Sequence, residues 1–122
     1  MLGIDVVDVA RFEQVIARRG ERLKRRLFTE RELRYCARKR RPGPHLAARF
    51  AAKECVIKAL GGRGAWRYSL IEVTRDGSGR PGIALLGELA RLARGVTFEV
   101  SLTHDGNVAG AVVTAVKKGR GR

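Results

Sequence analysis

Apolar and polar positions alternate in register with a few distinct elements along the first half of the chain. Leu2, Ile4, Val6 and Val7 make an Ile/Val-rich run that predicts a strand over Leu2–Asp8. Asp8 is placed to cap a helix from Val9 to Arg19, with Phe12, Val15 and Ile16 on one face. Gly20 is expected to end it, leaving Glu21–Phe28 as a short basic segment. Thr29-Glu30-Arg31-Glu32 has the form of a capping box and predicts a helix reaching Lys39. Pro42-Gly43-Pro44 reads as a firm break. A long helix is then expected from Leu46 to Leu60, stopped by Gly61-Gly62.

The second half changes character. Ser69–Arg75 alternates like a strand, Asp76-Gly77-Ser78-Gly79 is a turn, and Pro81–Leu86 is a short strand. A short helix is expected over Glu88–Arg94. Val96–Thr103 and Val108–Val116 flank Asp105-Gly106-Asn107, a strong hairpin signal. The pattern predicts an α+β fold, with helices packed on a mostly antiparallel sheet that the N-terminal strand joins. One domain is expected over residues 1–116, followed by a basic tail over 117–122 that frays.

Composition narrows the class. Hydrophobic residues make up 44% of the 122, ordinary for a protein with a real core. No apolar run approaches the roughly 18 residues of a membrane span, and no signal peptide is read at the N-terminus. Cys36 and Cys55 have no metal-site spacing, so free thiols in a reducing cytoplasm are expected. Net charge is +14, which favours polyanionic or phosphorylated partners, or an acidic protein. It concentrates in residues 18–41, where Glu21, Glu30 and Glu32 are the only acidic side chains. A solvated face is the plainer reading of that stretch. No P-loop, dinucleotide fingerprint or Ser-His-Asp motif is present. Aromatics are 6% and form no stacking platform, which weakens a nucleic-acid role.

The most informative stretch is R-F-A-A-K-E-C-V-I-K-A-L-G at Arg49–Gly61, where Arg49, Lys53, Glu54 and Lys58 interrupt an apolar helix. Unpaired charges are costly to bury, so these need partners. Glu54 and Lys58, four apart, share a helix face; they form either a surface pair or an anion site with one carboxylate for a metal. Asp5, within an apolar strand, calls for a cation, either a metal or an arginine. Asp5 and Glu54 are expected to meet around a divalent cation. Mg²⁺ takes one or two carboxylates plus substrate phosphates, which suits a diphosphate substrate. His104 lies at a strand end beside a turn, where a histidine is either a plain surface residue or a phosphate or proton contact. His45, next to Pro44, carries less signal.

Three segments together resemble the signatures of the holo-[acyl-carrier-protein] synthases, the small bacterial 4′-phosphopantetheinyl transferases. They are G-I-D-V-V-D-V-A-R-F-E near the start, R-F-A-A-K-E-C-V-I-K-A-L-G in the middle and S-L-T-H-D near the end, with G-R-P at Gly79–Pro81 also fitting. The resemblance covers nearly the whole chain in the right order. It implies transfer of the 4′-phosphopantetheine arm of coenzyme A to a serine of apo acyl carrier protein, with adenosine 3′,5′-bisphosphate released. It implies Mg²⁺ held by Asp5 and Glu54, with Lys58 close to the CoA phosphates and acting in catalysis. Arg49, Gly61, Pro81, Thr103 and His104 fall on positions resembling the CoA pocket. Lys53 is expected to serve the same anion site or an adjoining subunit. A homotrimer with sites at subunit interfaces is implied, so His104 and Pro81 could come from a neighbour. Arg11, Arg18 and Arg22 resemble a docking helix for the acidic carrier protein. Either Glu54 or a metal-bound water near Asp5 would take the serine proton.

Two segments depart from the family pattern. Arg34–Arg41 is unusually rich in arginine, and residues 117–122 have no assignable counterpart. A non-catalytic nucleic-acid-binding module is the alternative from another class, but it has no use for two carboxylates inside its anion site. The same transfer onto carrier domains of larger synthases is the alternative within the class.

Overall fold

In the computed structural model the described residues are 1–62 and 67–118. Strand β1 (Leu2–Asp8) leads directly into helix α1 (Val9–Leu27). The Asp8 carboxylate accepts the Arg11 N–H and caps α1, as its position in the sequence implies. Gly20 does break helical geometry (φ 77°, ψ −162°), but the helix resumes and runs to Leu27. The segment expected to be irregular is therefore helical. Leu23 and Leu27, four apart, pack on the same core cluster as Phe12 and Ile16, and this apolar face reinstates the helix.

Helix α2 (Glu30–Ala37) opens with the full capping box: Thr29 Oγ1 accepts from Glu32 N, and Glu32 Oε1 accepts from Thr29 N. Helix α3 (Pro42–Ala59) begins four residues earlier than its hydrophobic pattern implies. Pro42 occupies its first turn, where a missing N–H costs nothing, so the proline pair starts the helix instead of separating it from α2.

A short 3₁₀ turn (Tyr68–Leu70) precedes β2 (Ile71–Arg75), which pairs antiparallel with β3 (Pro81–Leu85). Helix α4 spans Gly87–Leu92. Strands β4 (Val96–Asp105) and β5 (Val108–Lys117) form the expected hairpin, longer than the sequence marks. The strands make two sheets where one was expected: β1-β5-β4 and β2-β3. β5 includes Lys117, and Lys118 N–H bonds Gly95 O, so the start of the expected tail belongs to the sheet. The rest of that tail lies outside the described residues.

The Gly106-Asn107 tip of the hairpin ties the two ends of the chain together. Asn107 O accepts Val9 N–H at 2.9 Å, and its side chain bonds both Ala10 N and Asp8 Oδ1. α3 is the centre of the molecule, packed on β1, β5 and β4, on α1 and α2, and on β2. This explains why its surface is apolar nearly all round. β1 approaches it so closely that a Cβ on Gly3 would lie 2.2 Å from Cys55 O.

Candidate active site

The four charged side chains of α3 do not cluster. Arg49 and Lys53 lie on one face, and Glu54 and Lys58 on another, turned by about 140° at 100° per residue. Lys53 is fully buried. Its ammonium donates to Glu32 Oε1 at 2.7 Å, Leu27 O at 2.8 Å and Tyr68 O at 2.9 Å. All three of its protons are used inside the protein, so the expectation that Lys53 serves an anion site or a neighbouring subunit is corrected. Burial pulls its pKa down, while the facing Glu32 carboxylate works in the opposite direction.

On the second face the site takes shape. Asp5 pairs across the sheet with Ala111. Lys58 Nζ donates to Asp5 Oδ1 at 3.2 Å and to Ile4 O at 3.0 Å. Glu54 Oε2 accepts a hydrogen bond from the Tyr68 hydroxyl. Tyr68 is itself stacked on Phe50, centroids 5.6 Å apart. Burial, the bond to Glu54 and the charges of Glu54 and Asp5 push the Tyr68 phenol up to about 12, so it stays a donor. Burial, the Asp5 charge and, more weakly, Glu54 likewise push the Cys55 thiol up to about 11, too high for a nucleophile near neutral pH. Both carboxylates thus raise the pKa of the same two neighbours, Cys55 and Tyr68.

Asp5 and Tyr68 open onto a groove of about 680 Å³ between β1 and α1, with Arg11, Val15 and Arg19 along its wall. Of the three arginines that resemble a docking helix, Arg11 lines this groove, alongside Arg19, which is not one of them. Arg18 and Arg22 are exposed on α1 and do not line the groove. Two carboxylates with an adjacent ammonium suit a hard cation completed by substrate oxygens. Among the described residues no three His, Cys, Asp or Glu side chains converge, so a cage built only of such protein ligands is not formed.

Arg49 belongs elsewhere. Its guanidinium lies 4.4 Å over the Tyr35 ring and donates to His45 O at 3.2 Å, while its buried Nε has no partner among the described residues. It lines a groove of about 640 Å³ together with Arg31, Arg34, Arg38 and Arg75. His45 and His104 meet edge to face near this end of α3, centroids 5.0 Å apart. Thr103 and His104 are exposed at the end of β4, Pro81 is half-buried on β3, and Gly61 is exposed just after α3. Arg49 and Lys58 are nine residues apart on one helix, or about 13 Å along its axis. Within one chain the expected CoA residues therefore divide between two regions.

Tyr68 was missed by the sequence reading. It stands outside the three motifs, fourteen residues beyond Glu54, and no periodicity connects them.

Residues 1–114 match the family model of the 4′-phosphopantetheinyl transferase superfamily. The holo-[acyl-carrier-protein] synthase of Moorella thermoacetica is 47% identical over 114 residues, covering 90% of this chain and 88% of the relative. The crystal structure of the Mycobacterium tuberculosis acyl carrier protein synthase is 37% identical, with TM-score 0.77 over 95% of this chain and 96% of that one. The Helicobacter pylori holo-[acyl-carrier-protein] synthase, solved in complex with coenzyme A, has TM-score 0.84 at 28% identity, covering 95% and 100% of the two chains. The chain therefore belongs to the 4′-phosphopantetheinyl transferase superfamily and, within it, to the holo-[acyl-carrier-protein] synthases, which makes it an enzyme of the transferase class.

Proposed function

We propose that this protein moves the 4′-phosphopantetheine group of coenzyme A onto a serine hydroxyl of an acidic apo acyl carrier protein, in a Mg²⁺-dependent reaction that leaves adenosine 3′,5′-bisphosphate. The observation that carries the reading is that Lys58 bonds Asp5 and Tyr68 bonds Glu54, with Asp5 and Tyr68 lining one groove. Asp5 and Glu54 would hold the Mg²⁺. The ion, when bound, neutralises charge that builds on the diphosphate oxygens during the serine's attack. Lys58 gives two protons to Ile4 O and Asp5 Oδ1, and its third is available for the leaving phosphate. Glu54, or a water beside Asp5, accepts the serine proton.

Arg49, Gly61, Pro81, Thr103 and His104 serve the CoA pocket in this reading. Because they and Lys58 occupy two regions of one chain, a site completed by a neighbouring copy accounts for the division. The sheet face turned away from α3 supports such an assembly. It carries Leu2, Ile4 and Val6 exposed at 64–66%, which a second copy in a homotrimer would cover. Arg11, Arg18 and Arg22, with Arg19, would steer the acidic carrier to α1. The enzyme would serve fatty acid biosynthesis in the cytoplasm, with residues 1–116 as its catalytic domain. Among the described residues no helix is long and apolar enough to cross a membrane.

The test is direct. The protein is incubated with CoA, Mg²⁺ and apo acyl carrier protein, and the carrier is weighed by mass spectrometry. A mass gain of one phosphopantetheine group is expected, and its absence would sink the reading. Glu54→Gln should abolish the gain and leave the unfolding midpoint nearly unchanged.

A further inference from the structure

Among the described residues the Tyr68 hydroxyl has one partner, and that partner is Glu54. A tyrosine is an unusual way to hold a carboxylate in so basic a protein, and three contacts fix it there. Its ring is stacked on Phe50 at an interplanar angle of 27°. Its carbonyl accepts from the buried Lys53 ammonium at 2.9 Å. Its backbone lies in the 3₁₀ turn that leads into β2. The phenol is therefore held by core contacts and aimed at one carboxylate oxygen, and Tyr68 lines the groove that Asp5 also lines.

From this geometry we infer that Tyr68 is a positioning residue: its hydroxyl fixes the Glu54 carboxylate so that the other oxygen faces the cation. The inference rests on the metal reading given above. An unrestrained glutamate samples several rotamers, and ordering it costs entropy whenever a cation binds. A donor anchored in the core meets that cost in advance. Hydrogen-bonding partners of metal-binding carboxylates orient their ligands, and losing one typically weakens metal affinity about 10- to 100-fold. The phenol is neutral, so it orders Glu54 without cancelling the charge that attracts a cation. A lysine or arginine in its place would compete with the metal.

Tyr68→Phe isolates the hydroxyl, because the ring and its stack on Phe50 remain. With CoA present, Mg²⁺ binding is measured by calorimetry and Mn²⁺ binding by electron paramagnetic resonance. The expected result is cation affinity weaker by about tenfold or more, with CoA affinity in the absence of cation unchanged. A purely structural role would lower the unfolding midpoint and CoA affinity together. Should the variant unfold more readily, titration below its transition, combined with Tyr68→Phe/Glu54→Gln, keeps the question open to measurement. The hydroxyl should have no effect on cation binding once Glu54 is replaced. Wild-type uptake matched by Tyr68→Phe overturns the inference alone. A wild-type protein that takes up no cation overturns the metal reading with it.

Discussion

Two lysines on different faces of α3, Lys53 and Lys58, each pair with a carboxylate, and the two pairs have opposite characters. Lys53–Glu32 spans 2.7 Å with both side chains at 0% exposure. Lys58–Asp5 spans 3.2 Å with side chains 51% and 22% exposed. In the first, every donor and acceptor is committed: Glu32 also accepts from Thr29 N and Val73 N, and Lys53 also donates to the Leu27 and Tyr68 carbonyls. In the second, the lysine keeps a free proton and the aspartate faces a groove. A charged pair that is sealed specifies structure, and one left half-open can exchange its partner for a ligand.

The largest expected effect breaks the sealed pair. Lys53→Met strands Glu32 in the interior and should cost about 3–5 kcal/mol in urea-induced unfolding. Adding Glu32→Leu should recover only part of this, because Thr29 N and Val73 N then lose their acceptor. A smaller loss, about 1–3 kcal/mol or somewhat more, is expected for Gly3→Ala, whose new methyl meets the backbone of Cys55. That variant separates β1 from α3 and should disturb the Lys58–Asp5 geometry without touching either charge. Asp5→Asn should reverse the ranking. Unfolding free energy changes by about 1 kcal/mol or less, while carrier modification falls below detection. Unchanged transfer in that variant would equate the two pairs and remove the distinction.

The smallest effect lies at the far end of α3. Burial first, then the positive charges of His104, Arg49, Lys39 and Arg75, hold His45 below its ordinary 6.5. The unfolded chain therefore takes up this proton at a higher pH than the folded one. The stability contribution is complete above about 6.5 and is lost as pH falls through the folded value. The unfolding midpoint should drop modestly from pH 7 toward pH 5, and His45→Gln should flatten that drop.

What was legible in the chain was local. The Ile/Val run of β1, the Asp8 cap, the Thr29–Glu32 capping box and the Gly106-Asn107 turn each involve residues within a few positions of one another, and each appears where expected. The family motifs singled out Asp5, Glu54 and Lys58; in the fold Lys58 bonds Asp5, and Glu54 bonds Tyr68, which lines the same groove as Asp5. The rest depended on distant partners. Nothing near Lys53 in sequence announces Glu32, twenty-one residues earlier, so a core ion pair read as an anion site. Gly20 marked a true break, but the resumption of α1 is decided by where Leu23 and Leu27 pack. Two sheets were read as one because strand pairing is settled by long-range contacts, and alternation along a strand does not report it.

The pairing of β1 with β5 has a consequence for biosynthesis. Asp5 sits opposite Ala111, and the cap of α1 is completed by Asn107. Asp5, in the first described strand, therefore waits for the last described strand before it has a fixed position. A nascent or C-terminally shortened chain would hold Glu54 and Lys58 on a formed helix yet lack the ordered aspartate. On this account catalytic competence arrives in one step, when β5 pairs with β1.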